Sequence, residues 1–157
     1  MPFLHPERRM NHGGVLTAYD DELPALHSAG IRAVVSLLNI PSDMAVYVSA
    51  GFAFQCLPVP DGGAPTMGQA KQFVGFVARQ RAEQRPVAVH CEAGFGRTGT
   101  MLAAYLISLG ESVEATISRV RAVETAAIET QHQILFLEQF GLAQRRMPHG
   151  PTEAGYL

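Results

Sequence analysis

Cys91 and Arg97 stand six positions apart around a loop that contains glycine. The segment from His90 to Thr98 is His-Cys-Glu-Ala-Gly-Phe-Gly-Arg-Thr. Consecutive backbone N–H groups in such a loop, together with those at the start of a following helix, can converge on one oxyanion. A thiol inside this ring of donors is favoured as the thiolate, which is its nucleophilic form. The spacing therefore predicts a nucleophile inside an anion-binding loop.

Other residue types in this segment suit the same chemistry. The guanidinium of Arg97 is a planar fork that can hold two phosphoryl oxygens at once, which a lysine cannot do. Thr98 can donate its hydroxyl to the cysteine sulfur when that sulfur becomes the leaving group. We expect His90 to orient the loop through a backbone hydrogen bond. The residues expected to surround a bound phosphate are Glu92, Ala93, Gly94, Phe95, Gly96 and Arg97.

An alternative role for Cys91 is that of a small buried hydrophobic residue, since a cysteine and an arginine at this spacing often occur by chance. The surrounding sequence favours the anion-binding loop. A short buried strand is predicted at Pro86–Val89, and an apolar helical pattern follows from Thr98 to Leu109, with a stop at Gly110. The loop is thus expected at a strand-to-helix junction, where the first N–H groups of the helix lack partners.

The rest of the chain alternates between strand and helix patterns. This alternation predicts an α/β protein with a mostly parallel sheet flanked by helices. The remaining predicted elements are a helix from Asp20 or Asp21 to His27 ended by Gly30, a strand at Ile31–Leu38, a loop at Asn39–Val48, a strand at Phe52–Leu57, a helix opened by the capping-box spacing of Thr66 and Gln69 and continuing to about Gln84, and helices at Ser112–Val123 and Thr130–Arg145.

Size and charge restrict the function further. The chain has 157 residues, 47% of them hydrophobic and 17% charged, and a formal net charge of −2. This suits one globular domain, which we place at residues 1–145, with a flexible tail at 146–157. The small net charge gives no basis for a nucleic-acid or membrane partner. We expect a monomer.

The N-terminus and the cysteines bear on location. Glu7, Arg8 and Arg9 stand where a secretory signal would need an apolar core, so we expect a cytoplasmic protein. A structural disulfide between Cys56 and Cys91 would consume the proposed nucleophile, which favours a reducing compartment. A regulatory disulfide between them stays open, because their separation in space cannot be derived from sequence.

The motif His90-Cys91-x5-Arg97-Thr98, in the context HCEAGFGRTGTMLAAYLI, resembles the protein tyrosine phosphatase superfamily. It is most similar to the small atypical dual-specificity branch, and also similar to the cell-cycle phosphatases that act on proline-directed phosphoserine. The resemblance extends from about Gly14 to Phe140. It implies the cysteine-dependent phosphatase fold, an α/β architecture with a central, mostly parallel sheet of four to five strands flanked by helices.

The resemblance also implies a general acid, and Asp61 matches the Pro-Asp pair that precedes a helix in relatives. The residues alone favour a turn-forming role for Asp61, because Pro60-Asp61-Gly62-Gly63 has strong turn chemistry. With the resemblance, Asp61 is predicted to protonate the leaving group. Asp43 is the nearby alternative, in a less suitable place.

Ile128–Gln133 resembles the segment that carries a water-orienting glutamine in relatives, which would make Gln133 the residue that positions the hydrolytic water. Thr130 and Gln133 also have the spacing of a capping box, and both roles stay open. The histidines show no metal-ligand spacing, so we expect neither metal nor cofactor. The chain departs from its relatives after the penultimate helix, where Arg121 remains but Glu124-Thr125 replaces their Arg-Pro pair.

The resemblance implies a phosphatase that hydrolyses phosphotyrosine, with phosphoserine and phosphothreonine as further substrates, in proteins and through a phosphocysteine intermediate. The phosphoinositide-directed branch carries lysines at the positions of Glu92 and Phe95. Glu92 should repel highly phosphorylated headgroups, and Phe95 can support a phosphotyrosine ring. The alternatives are a phosphatase for an inositol phosphate or an RNA 5′-phosphate, and a catalytically inactive module that binds phosphate.

Overall fold

The computed structural model describes residues 15–92 and 95–147, with only the backbone described for residues 15–21. These residues form six helices and three strands, none of the helices being long and apolar enough to cross a membrane. In chain order the elements are α1 Val15–Ser28, β1 Ala33–Ser36, α2 Asp43–Ser49, β2 Ala53–Cys56, α3 Met67–Ala82, β3 Val87–His90, α4 Gly96–Ser108, α5 Val113–Val123 and α6 Gln131–Arg146.

The strands form one parallel sheet in the order β2-β1-β3. The predicted α/β architecture is confirmed, but the expectation of four to five strands was wrong, since the described residues contain three. Only three segments between residues 31 and 90 combine apolar and β-branched residues in the short runs typical of buried strands. The later apolar residues recur at helical spacing and lie in α4, α5 and α6.

Helices cover both faces of the sheet, because successive strand residues point to opposite sides. On one face, Val35 and Val89 pack against Phe73 of α3 and Met101 of α4. On the other face, Val34 and Ala88 pack against residues that include Leu26 of α1 and Tyr47 of α2. A third apolar cluster joins α4 to α5 and α6. Burial on both faces explains why β1 and β3 are apolar almost throughout.

Two local predictions need correction. The helix α1 begins at Val15, so Asp20 and Asp21 lie inside it and do not cap it. The segment 39–48, predicted as a loop, contains most of α2, a helix of seven residues. Its one fully buried hydrophobic side chain is that of Tyr47, which is too little periodicity to predict a helix from sequence.

Other predicted helix stops and caps agree with the structure. Gly30 and Gly110 follow α1 and α4 with φ angles of 82° and 103°, a left-handed conformation that glycine adopts without strain. Thr66 forms the predicted capping box with Gln69 at the start of α3. The predicted flexible tail begins at Arg146, which is the last residue of α6, and its residues 148–157 lie outside the described residues.

Candidate active site

The candidate site lies at the carboxyl edge of the sheet, where β3 ends at His90 and α4 begins at Gly96. The loop between them therefore has the predicted strand-to-helix position. Phe95 stands at the N-cap of α4 and has no polar side chain to satisfy the first N–H groups of the helix, which leaves them for an anion. Ala93 and Gly94, both predicted to contact phosphate, lie outside the described residues.

Cys91 is buried against the apolar face formed by α3 and α4, with 3% of its surface exposed. The hydroxyl of Thr98, one turn into α4, donates a hydrogen bond of 3.0 Å to its sulfur. Thr98 is itself fully buried, so this contact is not in competition with bulk water. A sulfur that accepts a hydrogen bond at a helix N-terminus is suited to carry negative charge, both as a nucleophile and as a leaving group.

Arg97 lies between the phosphate loop and the loop that carries Asp61. Its Nη1 donates to the carbonyl oxygen of Val59 at 3.0 Å, and its Nη2 is 3.5 Å from an Asp61 carboxylate oxygen. The same Nη2 is 3.9 Å from a carboxylate oxygen of Glu92. Arg97 is only 7% exposed, whereas the Asp61 side chain is 85% exposed. The structure thus brings the predicted anion-binding arginine and the predicted acid together.

The segment around Asp61 is also a turn, as its residue types predict. The N–H of Gly63 donates to the carbonyl of Pro60 at 2.9 Å, and Gly62 has a φ angle of 70°, as in a type II turn. Asp43, the alternative acid, is buried at the first turn of α2, where it accepts a hydrogen bond from Ser36 on the α1 and α2 side of the sheet. Of the two aspartates considered as the acid, Asp61 is therefore the one beside Arg97.

Gln133 lies at the start of α6, close to the phosphate loop. A Cβ atom at Gly96 would be 3.0 Å from Gln133 Nε2 and 2.8 Å from Glu129 Oε2, so this close approach favours glycine. Gln133 is fully buried and forms the capping box with Thr130 that the spacing predicts. The other role considered for Gln133, positioning of the hydrolytic water, stays a prediction.

The turn before α6 belongs to the site, and sequence reasoning did not predict the contacts that hold it. Ile128 is buried with a φ angle of 60°, a strained conformation for a β-branched residue. Arg121 holds the turn by donating to the carbonyls of Ala127 at 3.1 Å and Ile128 at 2.8 Å. Ile128 in turn donates its N–H to the carbonyl of Phe95 at 3.4 Å. The resemblance of Ile128–Gln133 to a site segment of relatives was an available signal, but it did not indicate the role of Arg121.

His90 and Cys56 lie on the opposite side of the sheet from the sulfur of Cys91. His90 is 1% exposed and packs beside the ring of Tyr47, with ring centroids 6.2 Å apart. Ser36 of β1 stands in register between Cys56 and His90, which separates their Cα atoms by two strand spacings, or about 10 Å. Cys91 follows His90 and packs with the apolar cluster on the other face of the sheet, an arrangement that does not favour a disulfide with Cys56.

A thiol after a buried strand, an arginine at the start of the next helix and a nearby exposed carboxyl form a site whose groups suit phosphoryl chemistry. A family model described as "Tc-R-P: Polymorphic toxin system, DSP-PTPase phosphatase" matches residues 9–111, which is most of the chain. The chain therefore belongs to this family of dual-specificity-type phosphatases, as the motif predicted.

Curated relatives agree. The chain is 29% identical over 112 residues to cyclin-dependent kinase inhibitor 3 of Rattus norvegicus, a match that covers 69% of this chain and 53% of the relative. It is 30% identical over 103 residues to dual specificity protein phosphatase CDC14A of Homo sapiens, covering 66% of this chain and 17% of the relative. The chain thus spans about half or less of the length of these relatives.

Solved structures share the fold. The active form of Tk-PTP superposes with a TM-score of 0.73 at 28% identity, covering 82% of this chain and 87% of that chain. Kinase associated phosphatase with its catalytic cysteine replaced by serine also gives a TM-score of 0.73, at 22% identity and with 82% and 78% coverage. At that level of identity the second likeness supports the fold alone.

Proposed function

We propose that the chain hydrolyses phosphotyrosine in proteins, with phosphoserine and phosphothreonine as further substrates, through a phosphocysteine intermediate. The observation that carries the proposal is the 3.0 Å hydrogen bond from Thr98 to the sulfur of Cys91, at the N-terminus of a helix whose second residue is Arg97. These features support a hydrogen-bonded sulfur nucleophile and a cationic fork at one place.

The first step transfers the phosphoryl group to the enzyme. The phosphate binds the loop amides and the guanidinium of Arg97, which stay in place as charge spreads over the equatorial oxygens. The Cys91 sulfur attacks phosphorus in line, a sulfur–phosphorus bond forms and the ester oxygen–phosphorus bond breaks. Asp61 donates its carboxyl proton to the departing oxygen, so that an alcohol or phenol leaves rather than its anion.

The second step releases phosphate. Asp61, now a carboxylate, takes a proton from a water molecule that attacks phosphorus, and the sulfur–phosphorus bond breaks. The Thr98 hydroxyl stabilises the sulfur as it regains its negative charge. The buried amide of Gln133 lies near Gly96 at the phosphate loop, which supports a role in placing that water.

Charge around the loop supports a singly phosphorylated protein side chain as substrate. Carboxylates of Asp61 and Glu92 lie within 4 Å of Arg97, and Glu129 lies beside Gly96. A second or third phosphate on the same small molecule would meet these negative charges, whereas a phosphoprotein presents one phosphate at the loop. Phe95, half-buried at the N-cap of α4, is placed to support an aromatic ring.

We also propose a cytoplasmic location and a monomeric state. Cys56 and Cys91 are both free thiols, and the candidate nucleophile must stay reduced to act. Size-exclusion chromatography with light scattering measures the oligomeric state directly, and a stable dimer would contradict the monomer.

A substrate panel tests the proposal. Peptides with phosphotyrosine, phosphoserine or phosphothreonine are compared with inositol phosphates and an RNA 5′-phosphate, using the wild type and Cys91→Ser. We expect the highest kcat/KM on phosphotyrosine, no turnover by Cys91→Ser, and a phosphate adduct on Cys91 in acid-quenched Asp61→Asn by mass spectrometry. Preference for an inositol phosphate or RNA would overturn the substrate class, and an active Cys91→Ser would overturn the mechanism.

A further inference from the structure

Two helices begin with the same capping box, and both contact the loop that carries Asp61. Thr66 and Gln69 form the box of α3, and Thr130 and Gln133 form that of α6. In each box the glutamine carbonyl accepts the N–H of its threonine, which leaves the glutamine amide free to donate elsewhere. Gln69 donates to the carbonyl of Pro58 at 2.7 Å, and Gln133 donates to that of Gly63 at 3.1 Å.

The two threonines differ in what else their hydroxyls bind. The Thr130 hydroxyl accepts the N–H of Gln133 and also donates to the carbonyl of Gly62 at 2.9 Å. The Thr66 hydroxyl is exposed and, among the described residues, bonds only within its own capping box. The carbonyl of Gly62 belongs to the 62–63 peptide, so Thr130 holds the backbone one residue beyond the proposed acid, and Thr66 does not.

The backbone on the other side of Asp61 is fixed as well, because Arg97 donates to the carbonyl of Val59. The carboxyl group of Asp61 itself is exposed, and its contact with Arg97 is a long one of 3.5 Å. The direction of this side chain is therefore set mainly by the backbone on either side of it. A small rotation of the 61–62 peptide would move the carboxyl group away from the anion that Arg97 holds.

The turn that carries Thr130 is itself rigidly held. The strained φ angle of Ile128 persists because Arg121 binds the carbonyls on either side of it and Ile128 is fully packed. Thr130 thus follows a well-held turn, and its hydroxyl can hold the Pro60–Gly63 turn in position.

We propose that Thr130 is a positioning residue for Asp61: its hydroxyl fastens the Pro60–Gly63 turn to α6 and aims the carboxyl group at the leaving-group oxygen. This inference rests on the proposed function, in which Asp61 is the general acid.

The kinetic test uses the leaving group as its readout. Thr130→Val keeps the shape and loses the hydroxyl, Thr130→Ser keeps the hydroxyl, and Thr66→Val makes the same loss at the other capping box. Thr130→Val should lower kcat/KM on phenyl phosphate by about tenfold, because the leaving group of this substrate needs a proton. A tenfold change corresponds to the free energy of about one positioning hydrogen bond. On para-nitrophenyl phosphate, with its better leaving group, the loss should stay within about threefold. Thr130→Ser should hydrolyse phenyl phosphate about as well as the wild type. Thr66→Val should be less stable than the wild type but should not show a larger loss on phenyl phosphate than on para-nitrophenyl phosphate.

A double-mutant cycle separates positioning from a structural role. In an Asp61→Asn background there is no acid to aim, so adding Thr130→Val should cause no further selective loss on phenyl phosphate. An equal loss with and without Asp61, or the same selectivity in Thr66→Val, would overturn the proposal.

Amide hydrogen exchange tests the contact between Thr130 and the turn without depending on enzymatic activity. Thr130→Val should speed exchange of the Gly63 amide, which bonds Pro60 within the turn, and Thr66→Val should not. Unchanged exchange of Gly63 in Thr130→Val would contradict the fastening whether or not the protein is active. If wild type hydrolyses no aryl phosphate, the proposed function fails and the role in aiming an acid fails with it, while the exchange result still decides whether Thr130 holds the turn.

Discussion

Cys56 and Cys91 lie near the same edge of the sheet, but their sulfur atoms have opposite hydrogen-bonding roles. Cys56, the last residue of β2, donates its thiol hydrogen to the carbonyl of Leu38 at 3.2 Å. Burial, together with the carboxylate of Asp43, raises the pKa of Cys56 and favours its thiol. Cys91 instead accepts a hydrogen bond from Thr98 at the start of a helix. Cys91 is the more buried of the two, so their partners, and not exposure, set their expected reactivity.

The largest expected effect separates the two cysteines directly. Cys91→Ser should lower kcat on para-nitrophenyl phosphate by about 10⁴-fold or more, because a serine hydroxyl at this place is not ionised. Cys56→Ser should keep kcat within about threefold, since its thiol faces the other side of the sheet. Circular dichroism and Tm show whether both variants are folded. Comparable losses in the two variants would remove the distinction between the cysteines.

Arg97→Lys tests the arginine that follows Cys91 in the chain, at the start of α4. A lysine keeps the charge but loses the planar fork and the hydrogen bond to Val59, so kcat/KM should fall by about 10²- to 10³-fold. Inhibition by vanadate, measured as a Ki, should weaken in parallel. Arg85→Lys, at a surface ion pair with Glu83, is the matched control and should leave both values unchanged. Tight vanadate binding by Arg97→Lys would show that the fork is not needed.

Thr98→Val tests the hydrogen bond that gives Cys91 its acceptor role. Loss of the hydroxyl should slow breakdown of the phosphocysteine by about tenfold or more, because the departing sulfur loses a donor. Rapid-quench kinetics should then show a burst of phenol followed by slower turnover. Thr100→Val is the control, since Thr100 is buried in the same helix and donates to the Gly96 carbonyl. A burst of equal size in both variants would argue against a specific role for Thr98.

The parts of this site that sequence predicted are those set by neighbours in the chain. The order of Cys91, Arg97 and Thr98 at a strand-to-helix junction fixes the loop, and the spacing of Thr130 and Gln133 fixes a capping box. Contacts between residues far apart in the chain could not be predicted from local sequence patterns. The bond from Thr130 to Gly62 joins residues 68 positions apart.

The features that the sequence did not predict, or predicted wrongly, also depend on contacts between distant parts of the chain. The left-handed φ angle of Ile128 depends on donors from Arg121, and nothing in the type of an isoleucine predicts it. The number of strands was taken from a resemblance, whereas this chain offers only three strand-like segments between residues 31 and 90. The short helix α2 depends on the packing of Tyr47 against the sheet, a tertiary contact that local pattern does not show.

The smallest expected effect concerns the acid–base difference between the two thiols. With iodoacetate at neutral pH, Cys91 should be modified first, and inorganic phosphate should protect it by occupying the same loop. A raised pKa keeps Cys56 protonated to higher pH, so its modification should begin only above the pH at which an ordinary thiol reacts. Asp43→Asn removes the carboxylate and should move that onset to lower pH, though burial still acts. Peptide mass spectrometry across a pH series measures both sites, and modification of Cys56 before Cys91 at neutral pH would contradict the proposal that Cys91 is the reactive sulfur.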